Sequence, residues 1–313
     1  MIGRVEHLDF SVLHEFYLRT VPERYHVRQS LLESHFQRTP LLNLDASRWA
    51  TFTHQLVGAA LIKFSASRLY PGPEPLQAHL GLLVFKDYAA AQELWDAVEP
   101  VLRASGIQKV IFGQENLHLF PGAPKDWPEL GHALEKLGFA PAEAEQFDLE
   151  RDLADYVLPE SCALSEGIVV RPCAADDLTE LTRFFDEEFP GRWKYDSLQK
   201  WQIEGPQTIM GLFENGRCEG FALIQSDGCQ LPIGGAVWNQ DLGANWGSLG
   251  PIGVSKGVRG RGLGDALLAH SLVELKTRGA RKTIIDWTTL GDFYGRHGFE
   301  ISRRYTTYTK DLT

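Results

Sequence analysis

The sequence contains little cysteine, and none of it is arranged to hold a metal. The four cysteines form no C-x-x-C pair and no paired cysteine and histidine spacing of the kind found in zinc sites. We therefore expect no metal site and four free, buried thiols, at Cys162, Cys173, Cys218 and Cys229.

Long apolar runs and an excess of positive charge are also absent. No stretch reaches the roughly 20 apolar residues that span a bilayer, and the opening residues lack the basic-then-apolar profile of a signal peptide. The formal net charge of -10 argues against a nucleic acid or an anionic membrane as partner. We expect a cytoplasmic monomer or homodimer whose local arginine clusters bind a small anionic ligand.

The length of 313 residues suits two medium domains better than one. The apolar pattern stops near 150–167, where a charged stretch is followed by small residues. This change of pattern predicts one domain at 1–157 and a second at 158–313.

The second half has the element order β-α-β-β-β-α-β-α-β, which predicts an α/β layered domain. Apolar periodicity and turn residues define its elements. They are a strand at 168–171, a helix capped by Asp176, a hairpin turning at Asn215 and Gly216, strands at 246–254 and 282–287 on either side of a helix, and a short helix at 292–299.

A glycine-rich, cationic turn, GVRGRGLGD (257–265), leads directly into a helix. A helix N-terminus offers N–H groups without intrahelical partners and a partial positive charge, which together hold phosphate oxygens. Gly260, Gly262 and Gly264 permit left-handed backbone angles and close approach of a phosphate. Arg259 and Arg261 add charge-assisted contacts. The turn therefore predicts a pyrophosphate site.

A dinucleotide-binding fold is the main alternative for this turn, with Asp286 as its acidic residue. The third glycine of that pattern falls at position 265, which is Asp, and several residues separate Val254 from the glycines. Only 27 residues (313 minus 286) follow Asp286. These departures disfavour the dinucleotide fold, and a surface turn with incidental arginines is the remaining plain alternative.

The turn and three further segments together resemble the GNAT acetyltransferase superfamily. Arg259-x-x-Gly262-x-Gly264 matches the acetyl-CoA loop [QR]-x-x-G-x-[GA]; IVVRPCAADD, ENGRCEGFALI and DFYGRHGF match the first strand, hairpin and last helix, in order, over about 166–310. The resemblance implies acetyl-CoA as co-substrate, its pyrophosphate on the turn and its pantetheine arm paired with a strand as an added strand would be. The implied acetyl-CoA-binding residues are Ile252, Gly253, Val254, Arg259, Gly260, Arg261, Gly262, Leu263, Gly264 and Asp265.

The resemblance also implies catalytic residues. Tyr294 occupies the position at which many GNAT enzymes carry the tyrosine that protonates the CoA sulfur, and an ordinary phenol pKa of about 10 suits that role. Asp286 is the first candidate for the general base, with Glu187, Glu188 and Asp196 as further candidates. The plain alternatives are a core aromatic for Tyr294 and a structural carboxylate for Asp286.

The acceptor site is predicted in EEFPGRWKYD (187–196), which follows the first helix where the family builds a substrate-binding loop. Carboxylates, a guanidinium and aromatic rings suit a polar, cationic molecule with an apolar or sugar face. Trp287 stands where the family often has asparagine, so the contacts of that asparagine are unassigned. The predicted acceptor residues are Glu188, Arg192, Trp193 and Trp287.

The first half resembles a degenerate copy of the same unit. HLGLLVF, AAAQELWDAVEPVLRASG, IQKVIFG and LEKLGF repeat the strand, helix, strand and short helix, but KDYAAAQ replaces the glycine turn. The predicted fold class is thus α/β, with two tandem GNAT-like domains, each a mixed, mostly antiparallel sheet flanked by helices, and only the second holding acetyl-CoA. FGQENLHLFPGAP (112–124) also resembles a segment of bacterial glucosamine/glucosaminide N-acetyltransferases.

The predicted function is acetyl-CoA-dependent transfer of an acetyl group to a primary amine of a small molecule, by direct attack in a ternary complex. An amino sugar is one candidate acceptor. A non-catalytic acyl-CoA-binding or sensor protein is the alternative, because it would need the 259–264 turn but neither Tyr294 nor a base.

Overall fold

The computed structural model describes residues 1–72 and 74–313. The strands are β1 (Ile2–Arg4), β2 (Arg48–Phe52), β3 (Gln55–Phe64), β4 (Gln77–Phe85), β5 (Lys109–Phe112), β6 (Ala123–Pro124), β7 (Ala140–Asp152), β8 (Ile168–Pro172), β9 (Ile209–Glu214), β10 (Arg217–Ser226), β11 (Trp246–Val254), β12 (Lys282–Thr288) and β13 (Glu300–Asp311). The helices are α1 (Phe10–Thr20), α2 (Gln29–Leu32), α3 (Tyr88–Ala104), α4 (Pro128–Lys136), α5 (Leu178–Glu188), α6 (Arg192–Glu204), α7 (Asn239–Leu242), α8 (Leu263–Thr277) and α9 (Gly291–Gly295).

The described residues divide into two compact units. The first consists of Met1–Phe147 together with Arg303–Thr313, and the second of Asp148–Ser302. The units therefore differ from a division at 157/158 in two places, because 148–157 lie in the second unit and 303–313, most of the final strand, lie in the first. The sequence division at 157/158 stays a prediction of where one repeat ends and the next begins.

The first unit is a mixed, mostly antiparallel sheet flanked by helices. Strands β1, β2, β3 and β4 pair antiparallel in that order, and β4 pairs with β5 in parallel. The last residues of the chain complete this sheet, with Thr309 of β13 opposite Ile111 of β5 in an antiparallel pair. Helix α3 packs against β3 and β4 and buries Leu94 and Val98 completely.

The second unit has the same architecture. Strands β8, β9, β10 and β11 pair antiparallel in that order, β11 pairs with β12 in parallel, and the end of β7 lies beyond β12. Asn215 and Gly216 form the β9–β10 turn with φ of 49° and 84°, which confirms the predicted hairpin. Helix α8 packs on β10 and β11, and Phe185 of α5 meets Phe221 edge-on at 4.7 Å.

The start of helix α5 differs from the prediction, which placed its cap at Asp176. Asp176 lies in a 3-10 turn, and α5 starts at Leu178. The carboxylate of Asp177 accepts a hydrogen bond from the N–H of Ala174 at 2.7 Å and binds Arg171 at 2.6 and 2.8 Å. The prediction was wrong because the side chain of Asp177 reaches back to the exposed N–H and to the arginine of β8.

The predicted acceptor loop is partly helical, since α6 begins at Arg192. Phe189 leaves the helical conformation (φ -142°, ψ 60°) because the following Pro190 crowds a helical residue before it. Pro190 and Gly191 thus separate two helices, and the loop itself is short. The side chains of α6 are consequently held on a rigid element.

The state of the cysteines agrees with expectation in part. All four thiols are free; Cys162, Cys173 and Cys218 are buried, as predicted, whereas Cys229 is only half-buried. Among the described residues, no helix is long and apolar enough to cross a membrane. No group of three or more metal-binding side chains occurs in residues 1–72 and 74–313.

Candidate active site

Strands β11 and β12 pair only where they begin. Trp246–Ser248 of β11 lie opposite Lys282–Ile284 of β12, and no later pair between these strands occurs in the part of the chain that the structure describes. Both strands nevertheless continue, β11 to Val254 and β12 to Thr288. A gap therefore opens between the second halves of two neighbouring strands.

A bulge in β11 marks the start of the gap. The β10–β11 register shifts between Ala222 and Ile224, opposite Gly250 and Pro251, which are joined by a cis peptide bond. After the bulge, 252–254 pair again with β10 but not with β12. The other edge of 252–254 therefore offers backbone N–H and C=O groups to the gap, as a sheet edge does.

The glycine turn lies between β11 and α8. Gly260 and Gly262 have φ of +78° and +76°, in the left-handed region that glycine adopts readily, and Gly262 is the residue before the first turn of α8. The N–H of Ala266 donates to the carbonyl of Gly262 at 3.0 Å, so the N–H groups of 263–265 precede the first intrahelical bond. A Cβ added at Gly260, Gly262 or Gly264 would meet no described atom within 4 Å. The turn is an open backbone cradle that fits a phosphate.

The charged side chains of the turn are not equivalent. Arg261 forms a two-pronged ion pair with Glu214 of β9 at 2.6 and 3.2 Å, which lowers the pKa of that carboxyl. Asp265 binds Arg296 at 2.9 and 3.1 Å and lies 3.3 Å from a ring nitrogen of His297. Arg259 is exposed and has no carboxylate within 4 Å among the described residues. Arg259 is thus the guanidinium of this turn without an acidic partner.

Tyr294 packs as a core aromatic, yet its hydroxyl makes no hydrogen bond to any described residue. Its ring meets Phe293 and Phe299 edge-on at 4.9 and 6.2 Å, and the residue is 6% exposed. Burial raises the pKa of the phenol, and the nearby carboxylate of Asp286 raises it further. The phenol therefore stays protonated at neutral pH and can act as a proton donor.

Asp286 lies on β12 beside the bulge. A Cβ added at Gly250 would be 3.5 Å from its carboxylate, and one at Gly234 would be only 2.7 Å away. Gly234 has φ of +56°, so glycine permits this close approach of backbone and carboxylate. The negative charge of Asp286 adds to burial in raising the pKa of the Tyr294 phenol.

Two of the four predicted acceptor residues, Arg192 and Trp287, are in contact. The guanidinium of Arg192 lies 5.1 Å from the ring centre of Trp287 and its Nε is 3.1 Å from Oδ2 of Asp196. Trp193, 38% exposed, approaches Gly253 of β11, where an added Cβ would lie 3.2 Å from its ring. Helix α6 thus presents Arg192 to the end of β12 and Trp193 to the end of β11.

Glu188, the fourth predicted acceptor residue, lies elsewhere. Its Oε2 accepts a hydrogen bond at 3.1 Å from the N–H of Lys256, just before the glycine turn. Glu187 pairs with Arg183 and Arg217. Both carboxylates therefore hold structural contacts on the side of the glycine turn.

Two residues of the site were missed by sequence reasoning. Phe189 packs over Gly253, where an added Cβ would lie 2.7 Å from its ring. Asp148 accepts a hydrogen bond at 3.1 Å from the N–H of Trp287, which has φ of +44°, unusual for a large side chain. Phe189 lies within the predicted acceptor segment 187–196, which gave a local signal for the first residue. The second contact joins residues that are distant in sequence.

The corresponding gap in the first unit is filled. Pairing of β4 with β5 ends at Leu80 and Phe112, and Glu115 then lies against Gly81, where an added Cβ would be 2.5 Å from its carboxylate. Nζ of Lys63 is 3.2 Å from this carboxylate, and both side chains are completely buried. A buried ion pair thus occupies the position of the open gap in the second unit.

The helix after this filled gap is capped by a carboxylate. Asp87 accepts a hydrogen bond at 3.0 Å from the N–H of Ala90 in the first turn of α3. A negative side chain therefore holds the helix N-terminus at which the second unit has its open glycine cradle. The start of α3 therefore lacks the open backbone N–H groups of the glycine cradle.

Comparison with known proteins agrees with this geometry. Residues 176–299 match the acetyltransferase (GNAT) family, and no curated protein matches the chain. An N-acetyltransferase region of a fungal multi-domain GH3 beta-N-acetylglucosaminidase, described as a glucosamine N-acetyltransferase, is 22% identical with a TM-score of 0.85. That match covers 99% of this chain, which spans 38% of the fungal one.

Two further structures extend the likeness. A GNAT protein from Sphaerobacter thermophilus is 18% identical, covering 87% of this chain and 82% of its own, with a TM-score of 0.63. A tandem GNAT protein from the clavulanic acid biosynthesis pathway is 15% identical, covering 97% and 95%, with a TM-score of 0.65. Residues 176–299 thus match the GNAT family, and the chain has the fold of tandem GNAT proteins.

Proposed function

We propose that this chain is an acetyl-CoA-dependent N-acetyltransferase acting on a primary amine of a small molecule, with an amino sugar as the candidate acceptor. One observation carries the proposal: β11 and β12 separate after their first three residue pairs, the open glycine cradle follows β11, and Asp286 lies on β12 beside the bulge at which the gap starts. We further propose a cytoplasmic monomer or homodimer without nucleic acid or membrane partners.

The binding residues follow from the open backbone groups. The N–H groups of 260–265 and the side chain of Arg259 would hold the pyrophosphate, while Arg261, bound to Glu214, would contribute its backbone. The unpaired edge of Ile252–Val254 would pair with the pantetheine arm. Bound there, acetyl-CoA supplies an activated thioester.

Asp286 and Tyr294 would accept and donate the protons that the reaction transfers. The acceptor nitrogen forms a bond to the acetyl carbon as the carbon–sulfur bond breaks. Asp286 would accept the proton that the attacking amine must lose, directly or through water, and Tyr294 would donate the proton that the departing sulfur gains. The raised pKa of Tyr294 keeps that proton in place before the reaction.

The acceptor pocket suits a polar ring with an ammonium group. The indole faces of Trp193 and Trp287 can stack on a sugar, and the carboxylate of Asp286 can hold the amine. Arg192 is already neutralised by Asp196, so the pocket does not repel a cation strongly. The fungal relative is described as a glucosamine N-acetyltransferase, which supports trying amino sugars first.

Release of free thiol from acetyl-CoA, measured with the full chain across a panel of amines, tests the proposal. The panel should contain glucosamine, its N-acetylated form as a blocked control, a polyamine and amino acids. We expect amine-dependent release with glucosamine, and its loss in Asp286→Asn. Tight acetyl-CoA binding by calorimetry without release for any amine would favour the sensor alternative; neither binding nor release would overturn both.

A further inference from the structure

A cavity lies within the first unit, where the end of β4, the start of α3, helix α4 and the end of α1 meet. Its volume is about 640 Å³, and its lining includes Phe85, Tyr88 and Trp127. Small-molecule sites in proteins are typically about 300–1,000 Å³. The cavity is therefore large enough for a molecule of nucleotide size.

The polar lining of this cavity is mainly cationic, although the whole chain carries a net charge of -10. Arg19, Lys86, His132 and Lys136 contribute to it, and among the described residues none of the four lies within 4 Å of a carboxylate. Such a cluster in an acidic protein favours an anionic ligand.

Two acidic residues also line the cavity but do not cancel this cluster. Oδ1 of Asp87 accepts a hydrogen bond from the N–H of Ala90 at the start of α3. Glu129 lies in the first turn of α4, where its negative charge faces the positive end of the helix dipole. The same lining holds one arginine, two lysines and one histidine. With the histidine counted as neutral, three positive and two negative side chains give a formal charge of +1.

The apolar part of the lining consists of flat rings. Lys136 Nζ lies 4.9 Å from the ring centre of Tyr88, which leaves the aromatic surface next to a cation. Trp127 is only 5% exposed and its ring packs 6.1 Å from Phe120, so this wall is fixed by the core. The ring of Tyr88 beside Lys136, close to the other cations of the lining, suits a planar group that carries phosphate.

We infer that the first unit binds a phosphorylated, nucleotide-sized molecule in this cavity, with the phosphate at the cationic cluster and the planar group beside Tyr88. The inference is independent of acetyl transfer in the second unit, since each lining residue belongs to the first.

Calorimetry with the full chain tests this site, using adenosine diphosphate as the probe and adenosine and inorganic phosphate as its two parts. We expect adenosine diphosphate to bind at least tenfold more tightly than either part. The double variant Lys86→Glu/Lys136→Glu should weaken binding at least tenfold, about the worth of one charge-assisted contact. The milder pair Lys86→Gln/His132→Gln serves if the first variant unfolds.

Matched controls separate the site from general charge effects. Arg68 is also an exposed cation of the first unit lying on an aromatic ring, at 3.6 Å from that of Phe64, so Arg68→Glu matches the change at Lys136. Arg259→Glu removes the free cation of the glycine turn. Binding that survives both controls but not the cavity variants supports the inference. No binding, equal loss in Arg68→Glu, or loss only in Arg259→Glu would overturn it.

Discussion

Replacing Gly262 by leucine separates the conformational role of this glycine from its role in binding. Gly262 has φ of +76°, and an added Cβ meets no described atom within 4 Å. The protein alone therefore offers no steric obstacle to a side chain here. Any large effect on acetyl-CoA must come from the space that the phosphate would occupy.

The cost to folding can be worked out from the backbone angle. A left-handed residue other than glycine costs about 1–2 kcal/mol, so Gly262→Leu should lower the free energy of unfolding by that amount. For a unit of this size the loss corresponds to roughly 2–8 °C in melting temperature. The variant should remain folded at 25 °C.

The cost to binding should be larger. A leucine side chain in the cradle displaces the pyrophosphate from the N–H groups of α8. Losing two charge-assisted hydrogen bonds, at roughly 1.5–3 kcal/mol each, raises the dissociation constant by about 10²–10⁴-fold. Titration calorimetry with acetyl-CoA measures this change directly.

Gly279→Leu is the matched control, because it lies at the other end of the same helix. Its φ is +94° and an added Cβ there also meets no described atom within 4 Å. Gly279→Leu should therefore show a similar loss of stability with unchanged acetyl-CoA affinity. If Gly262→Leu binds acetyl-CoA as the wild type does, or if both variants lose affinity equally, the glycine turn is not the pyrophosphate site.

Three other outcomes are expected. Tyr294→Phe should keep acetyl-CoA affinity and reduce turnover by about 10²–10⁴-fold, and a change below twofold in steady-state assays would leave the residue a packing role only. Burial raises the pKa of the Cys229 thiol to about 11, so iodoacetamide should alkylate it at pH 8 roughly a hundredfold more slowly than a free cysteine, with the rate rising steeply toward pH 11; mass spectrometry would expose a normal rate. Lys63→Met should cost about 3–5 kcal/mol in chemical denaturation without altering acetyl-CoA binding, and Lys63→Met/Glu115→Leu should recover most of it; equal stability of wild type and Lys63→Met would mean that the pair is not tightly coupled.

Local features of the fold were predictable from the sequence because they depend on neighbouring residues. The hairpin at Asn215 and Gly216 needs two left-handed residues, which this dipeptide supplies, and strand 246–254 was found with its observed bounds. The left-handed angles of Gly260 and Gly262 were likewise expected from the glycine spacing. Each of these signals lies within a few residues of the structure that it produces.

Features that depend on residues distant in sequence were not predictable in this way. Arg261 looked available for a phosphate, but Glu214, 47 positions earlier, binds it. Lys63 and Glu115 are separated by 52 positions, and nothing local shows that together they fill a gap. The acceptor segment was predicted from composition and remains a prediction, and only packing shows that Arg192 rather than Glu188 reaches Trp287.

The first unit is built from two separate parts of the chain, which has a consequence for its synthesis on the ribosome. This unit needs Arg303–Thr313, which pair with β5, in addition to Met1–Phe147. The 155 residues of 148–302 must be translated between these two parts, which takes roughly 8–30 s at about 5–20 residues per second. During that interval the outer edge of β5 lacks its neighbouring strand, so the nascent first unit exposes an open sheet edge that chaperones or other nascent chains can bind.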